Sequence, residues 1–413
     1  MKENKIVDKK TIQSLRGMND IVDDDTVLFD YFIKNASNIA VKYGFDYIQT
    51  PILEQTSLFK RTVGNSSDIV NKEMYQFLDK GSNDVCLRPE GTAGVVRSFI
   101  ENKFDRIGNT KRYFYYGPMF RYERPQKGRL RQFHQFGSEV FNSNSMYEDA
   151  NIILLIKDIL DSFDIKFTLQ LNSLGSKTCM NEYKKKLVLF LENIKTKLCS
   201  DCNNRIYTNP MRVLDCKVDT CKSLLANSPK IIDNLSKSCD DDFQQLKSIL
   251  DFNNIQYIIN KNLVRGLDYY NKTAFEFISD EIGAQNTIAA GGRYDNLVES
   301  LGGISTSAIG FAIGVERLLP LLKIKYRQKD LIYFGSMCDD ALNLVFQKAN
   351  EKRKDNIVYI EYISRSFNKH FKLAMKQNAT TIALIGESEL ENSTIWIKNI
   401  KSNEEKIIKY GDF

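Results

Sequence analysis

FRYERPQKGRLRQFHQFGSEVF, residues 120–141, sets five cations and five aromatic rings around a Pro-Gln-Lys-Gly turn. Side chains alternate in character along both arms, which is the period of a strand, so the stretch reads as a hairpin around a tight turn. On the second arm Phe133, Gln135, Gly137 and Glu139 share one face, while His134, Phe136 and Val140 share the other. An amide, a glycine and a carboxylate in alternate positions are poor core material. They suit a polar ligand that approaches the backbone where Gly137 leaves room. On the first arm Arg121 and Glu123 alternate with Phe120 and Tyr122. A guanidinium fork matches a phosphate, and a ring such as Phe133 can stack on a base. The plainer alternative is an exposed hairpin whose cations Arg124, Lys127, Arg129 and Arg131 form a solvated face.

Other segments offer related chemistry. RPEGT, 88–92, carries Glu90, Gly91 and Thr92 on a loop that enters a helix; in isolation Thr92 reads as the N-cap and Glu90 as solvated. VRGLDYY, 264–270, reads as a strand in which Arg265 asks for an anion or pairs internally, beside Asp268, Tyr269 and Tyr270. In AAGGRYD two glycines precede Arg293 and Tyr294, the pattern of a bulge or of close ligand approach. In IGFAIGVERL, Gly310 and Gly314 thin the backbone ahead of Arg317. His134 and His370 are the only histidines, and no serine or cysteine pairs obviously with either. A histidine-based triad and an HExxH zinc protease are therefore excluded, as are P-loop and Rossmann phosphate sites, whose glycine motifs are lacking.

The chain has 413 residues, enough for two or three domains, and a net charge of +6 that permits a nucleic-acid partner without requiring one. No apolar run suits a membrane span, and the charged MKENKIVDKK has no apolar stretch behind it, so a cytoplasmic protein is expected. Helical periodicity over 26–43 stops at Gly44, as a C-terminal cap would. A strand containing Pro51 follows. From 176 to 260 the composition turns to Lys, Asn, Asp and Cys with helical periodicity, the mark of an inserted module. Within it Cys199 and Cys202 form CxxC, and Cys216 and Cys221 form CxxxxC, both within zinc-ligand spacing. Reduced thiols are the expectation; zinc is compatible with the spacing but not expected, and no metal is assigned to the site. Strands resume after 260, KIKYRQKD at 323–330 reads as a linker, and a β-α-β-α-β pattern then gives a small parallel sheet.

RGMND, TPILEQTSLFKR, LRPEGTAG, the long hairpin, NPMRVLDCK, LVRGLDYYNKTAFEF, AAGGRYDNLVE and GFAIGVERL together resemble the histidyl-tRNA synthetase family of class II aminoacyl-tRNA synthetases, in the family's order. The resemblance implies an α+β class II catalytic domain over 1–325, with a six-stranded antiparallel sheet flanked by helices. It also implies the mostly helical insertion at 176–260, a C-terminal α/β anticodon-binding domain over 326–413, and a homodimer. The implied reaction joins L-histidine to ATP, with Mg²⁺ as counter-ion, and passes the histidyl group to tRNA(His). Arg121, Glu123, Arg129, Phe133 and Arg317 would serve ATP; Glu90, Gly91, Thr92, Arg121, Gln135, Glu139, Arg265, Tyr269, Tyr270 and Tyr294 would serve histidine. Arg121 and Arg265 would carry the chemistry. Among these, Glu139 and Tyr270 would read the imidazole. The C-terminal module ends at KIIKYGDF without the closing helix the family suggests, and the four-cysteine pattern is not implied by membership. A regulatory paralogue without charging activity would lack the C-terminal module; a non-catalytic RNA binder would need neither Gln135 nor Glu139.

Overall fold

In a computed structural model the described residues are 11–63, 69–126, 128–214, 216, 218–283, 286–322 and 330–413. The N-terminal MKENKIVDKK, Lys127 and nearly all of the KIKYRQKD linker lie outside them. The chain divides into two compact units, Met1–Ile324 and Lys325–Phe413.

The first unit is built on an eight-stranded sheet. Its order is Asp46–Tyr47, Lys111–Phe120, Gln132–Phe141, Ala308–Gly314, Thr287–Arg293, Asn271–Ile278, Thr168–Ser173 and Ile258–Ile259. The six inner strands are antiparallel, as the resemblance implied, and each edge adds a two-residue parallel strand.

Two kinds of side chain give the sheet unlike faces. In AIGFAIG, Ile309, Phe311 and Ile313 point one way and are buried, while Gly310, Ala312 and Gly314 point the other. Phe136 and Val140 on the neighbouring strand join the bulky side. Three helices cover that side. Asp23–Lys42 has three aspartates in its first turn and Lys42 in its last, each favourable to the helix dipole. It ends where the sequence placed its cap: Gly44 has φ +80°, Phe45 N–H reaches Ala40 O at 3.1 Å, and Gly44 N–H reaches Val41 O at 3.0 Å. Met146–Asp161 is capped by Ser145 Oγ, which accepts from Tyr147 N–H, and buries Ile152, Ile153, Ile156, Ile159 and Leu160. Each such side chain contributes about 1.5–3 kcal/mol. The third helix, Lys237–Phe252, adds Phe243, Leu246 and Leu250 to the same core. The helices between Lys177 and Leu225 pack instead around their own cluster, which includes Tyr183, Leu187, Leu191, Ile206 and Cys221.

Several expectations of local structure change. The Lys111–Phe120 strand stops before Arg121, so Arg121 and Glu123 are not strand residues, and the connection to Gln132 is a long excursion rather than a tight turn. VRGLDYY is irregular backbone rather than a strand. Pro51 lies between the short strands Asp46–Tyr47 and Leu53–Gln55 instead of within one. The glycines of AAGGRYD form a bulge, with a register shift between Gly292 and Arg293. That shift turns Arg293 fully into the interior, where its Nε donates to both carboxylate oxygens of Asp149 at 2.9 and 3.0 Å. Its other nitrogens donate to Ser143 O and Ser145 O.

In the second unit, Ile357–Ile360, Leu331–Ser336 and Thr381–Ile385 are parallel, as expected, with the Leu342–Lys352 and Phe367–Lys376 crossover helices. An antiparallel hairpin, Thr394–Asn399 with Glu405–Lys409, widens the sheet. His370 is buried between Tyr333 Oη at 2.8 Å and Ser336 O at 2.7 Å, and burial lowers its pKa.

Arg293→Met strands Asp149 as an unpaired buried carboxylate, and its expected cost is about 3–5 kcal/mol by chemical denaturation. Adding Asp149→Leu recovers part of that loss, because a pair replaced by apolar groups leaves no charge behind.

Candidate active site

The small-residue face of the sheet floors a cavity of about 510 Å³, lined by Ala290, Ala312 and Gly314 below. Side chains from four separate stretches surround it. Glu90 and Thr92 come from the RPEGT loop, and Arg121, Glu123, Arg129, Phe133 and Gln135 from the long hairpin. Arg265, Tyr269 and Tyr270 come from the irregular segment, and Arg317 from just beyond the Ala308–Gly314 strand. Glu139 and Tyr294 are buried behind this lining, and Gly91 packs against the Tyr115 ring.

The RPEGT loop inverts its expected roles. Glu90 is buried and caps the Thr92–Glu101 helix, accepting from Thr92 N–H at 2.7 Å and Ala93 N–H at 2.9 Å. Thr92 is thereby free to turn its hydroxyl inward, where it donates to Glu139 Oε1 at 2.7 Å. Tyr115 Oη donates to the same oxygen at 3.3 Å, and Tyr294 Oη donates to Glu139 Oε2 at 2.5 Å. Burial pushes the Glu139 carboxyl up to about 8; the hydroxyls of Tyr294 and Thr92 oppose the shift and the nearby Glu90 adds to it. Burial likewise raises Glu90, against the two N–H groups that hold it. The space at Gly137 is not open to a ligand. A Cβ there, or at Gly91, would overlap the Tyr115 ring, which the two glycines admit between them. Gly310 serves Glu139 in the same way, since a Cβ at 310 would overlap its carboxyl.

The cations converge with their counter-charges. Arg121 Nε donates to Pro89 O at 2.9 Å, and its guanidinium lies 5.2 Å from the centre of the Phe133 ring. Arg129 Nη1 stands 3.1 Å from Glu123 Oε2. Arg317 donates to Gly128 O at 3.0 Å and Thr287 O at 3.2 Å. Burial lowers the Arg317 pKa, and the like charges of Arg129 and Arg121 lower it further. Arg265 is paired with Glu276 through Nη1 and lies 5.5 Å from the centre of the Tyr270 ring. Tyr269, Tyr270 and Tyr294 pack ring to ring, with centroids 4.7 Å apart for the first two and 5.7 Å apart for Tyr269 and Tyr294. Burial raises the Tyr270 phenol to about 12 against the pull of Arg265.

Among the described residues, Gln135 Oε1, Tyr269 Oη and Arg265 Nε are buried polar atoms of this lining with neither a hydrogen bond nor an ion-pair contact of their own. Such groups cost stability and suit a polar ligand that would complete them. His134, on the opposite strand face, is satisfied by Glu316: its N–H donates to the carboxylate at 2.8 and 2.9 Å, and Nδ1 lies 2.7 Å from Oε1. Sequence reasoning overlooked Tyr115, Glu276 and Arg212. Arg212 lines the cavity and donates to Gly266 O. Its segment, NPMRVLDCK, was legible as a unit, but nothing in it marked the arginine for this wall.

Residues 17–177 and 211–318 match the sequence model of the family described as Histidyl-tRNA synthetase. The chain is 55% identical to a histidine–tRNA ligase of Sulfurimonas denitrificans, over 96% of its own length and 98% of that protein's. It is 52% identical to a histidine–tRNA ligase of Campylobacter fetus subsp. fetus, over 96% and 98%. Its fold superposes on apo S. aureus histidyl-tRNA synthetase with a TM-score of 0.82 at 34% identity, covering 97% of this chain and 98% of the other. With these matches spanning both units, the chain belongs to the histidyl-tRNA synthetase family.

Proposed function

We propose that this chain activates L-histidine with ATP to histidyl-adenylate and transfers the histidyl group to the 3′ end of tRNA(His). The carrying observation is the meeting of Arg121, Arg129, Arg265 and Arg317 around one cavity that also offers Glu90, Thr92, Gln135 and two tyrosines. The reading includes a homodimer working in the cytoplasm; no helix among the described residues is long and apolar enough to cross a membrane.

The first step is an in-line attack of the histidine carboxylate on the α-phosphorus, with pyrophosphate leaving. Two anions must meet, and the transition state gathers charge at phosphorus. Fixed guanidinium groups oppose the repulsion and stabilise that charge, so no general base is needed. In this reading Arg121 and Arg265 flank the α-phosphate and the attacking carboxylate, and Arg317 meets the γ-phosphate. Phe133 stacks on adenine beside Glu123 and Arg129. Among the lining carboxylates, Glu123 and Glu276 would offer hard oxygens to the Mg²⁺ counter-ion of ATP, which would offset phosphate charge. Glu90, Thr92 and Gln135 hold the α-amino group, with Gln135 Oε1 gaining the donor it lacks in the free chain. Tyr270 reads the imidazole from the lining. Glu139, expected from the resemblance to read the other ring nitrogen, lies buried behind that wall with its oxygens held by Thr92, Tyr115 and Tyr294, so it would have to exchange one of those hydroxyls for the ring. The terminal ribose hydroxyl of the tRNA then attacks the adenylate and AMP leaves.

Exchange of labelled pyrophosphate into ATP is expected to depend on histidine among all twenty amino acids; exchange without histidine, or with another amino acid preferred, overturns the reading. Arg265→Ala should slow adenylate formation in single turnover by at least about 10²-fold, the scale of one lost oxyanion-type donor, with tRNA affinity nearly unchanged. A pH test follows from Glu139. Its folded pKa of about 8 exceeds the usual value of 4.5, so the folded state holds a proton that the unfolded state has released between these limits. Stability from this group is fully present below about pH 4.5 and is lost as pH rises through about 8. Urea denaturation should therefore show wild type losing stability relative to Glu139→Gln over that window, by on the order of a few kcal/mol.

A further inference from the structure

The inserted region carries a second constellation away from the cavity floor. Cys199 precedes the Ser200–Thr208 helix and Cys202 lies within it; Cys216 follows the Pro210–Val213 turn, and Cys221 lies in the Asp219–Leu225 helix. Their four Sγ atoms all lie within 4.8 Å of one another, with Cys199 and Cys216 at 3.9 Å. Four thiolates bound to one tetrahedral zinc, each at about 2.3 Å, are about 3.8 Å apart. Hydrogen bonding agrees with that arrangement, because Cys199 N–H donates to Cys221 Sγ at 3.3 Å, the kind of contact that supports a metal-bound thiolate.

We propose that Cys199, Cys202, Cys216 and Cys221 form a structural Zn²⁺ site, in place of the metal-free thiols expected from spacing alone. Binding converts four thiols to thiolates, releases four protons and forms four Zn–S bonds, with no change of oxidation state. Cys216 and Cys221 lie within a stretch that matches the family model, 211–318, and Cys199 and Cys202 lie in the interval between its two matched stretches. What the site fixes is the segment between Cys202 and Cys216. There Asn209 Nδ2 donates to both carboxylate oxygens of Asp268 at 3.1 Å, and Arg212 donates to Gly266 O. Closing the cysteines on one ion holds this strap against the irregular segment that carries Arg265.

Elemental analysis of the full-length chain, purified with reductant and without chelator, should find about one zinc per chain. Titration with a thiol-specific mercurial should release it in proportion to the thiols blocked. Cobalt-loaded protein should show thiolate-to-metal charge transfer and the strong visible bands of tetrahedral cobalt. Cys202→Ser and Cys221→Ser should each hold less than about one tenth of the wild-type zinc. They should also exchange amide hydrogens faster over 198–222. Should these variants fail to fold, the wild-type measurements decide alone. Wild-type protein without zinc, whose four cysteines react freely in the native state or appear as disulfides by mass spectrometry, overturns the proposal. So does zinc retained by a variant with all four cysteines changed to serine.

Discussion

A carboxyl group with no exposed surface, Glu139, meets three hydroxyls from three separate elements: the start of a helix, the adjacent strand, and the chain beyond the bulge. Taking such a group out of water costs several kcal/mol unless hydrogen bonds replace its hydration. Those bonds draw a chain of further requirements. Thr92 can give its hydroxyl only because Glu90 caps the helix in its stead. Tyr115 reaches in only because Gly91 and Gly137 admit its ring. Tyr294 holds its place one residue beyond Arg293, which is clamped by Asp149. The helix start, the long hairpin and the chain beyond the bulge are thus tied to one acid.

The cations obey a complementary constraint. Burial and the charges of Arg129 and Arg121 lower the pKa of Arg317, so these guanidinium groups are not gathered in a half-buried site at no cost, and in the free chain carboxylates share the load: Glu123 beside Arg129, and Glu276 beside Arg265. An entering polyanion takes over part of that neutralisation. Preorganised charge of this kind needs little rearrangement when the reacting groups arrive, which is why it favours a transition state over scattered solvent dipoles.

Much of this was visible in the residues themselves. Alternation along AIGFAIG and QFHQFGSEVF placed bulky groups on one face and small or polar groups on the other, and Gly44 ended its helix as expected. The resemblance to synthetases gathered the RPEGT, hairpin and VRGLDYY residues into one site before any coordinate did. What escaped were contacts between distant positions. Nothing near Arg293 foretells Asp149, nor does RPEGT reveal that a buried acid waits for Thr92, so local propensity assigned the cap to the hydroxyl. Gly137 advertised space, but the Tyr115 ring that fills it comes from the neighbouring strand, and register is not written in either segment alone. VRGLDYY has the composition of a strand, yet its arginine and tyrosines are spent on the cavity wall and its backbone does not join the sheet.

Gly310 faces Glu139 across paired strands, and a methyl group at 310 would occupy the volume of that carboxyl. The two positions therefore amount to a single heritable choice. A descendant that acquires alanine at 310 must evict the acid from its niche, and with it the hydroxyl trio loses its common acceptor. A methyl group in place of one hydrogen on that strand would thus undo the hydroxyl network behind the cavity without altering any side chain that lines it.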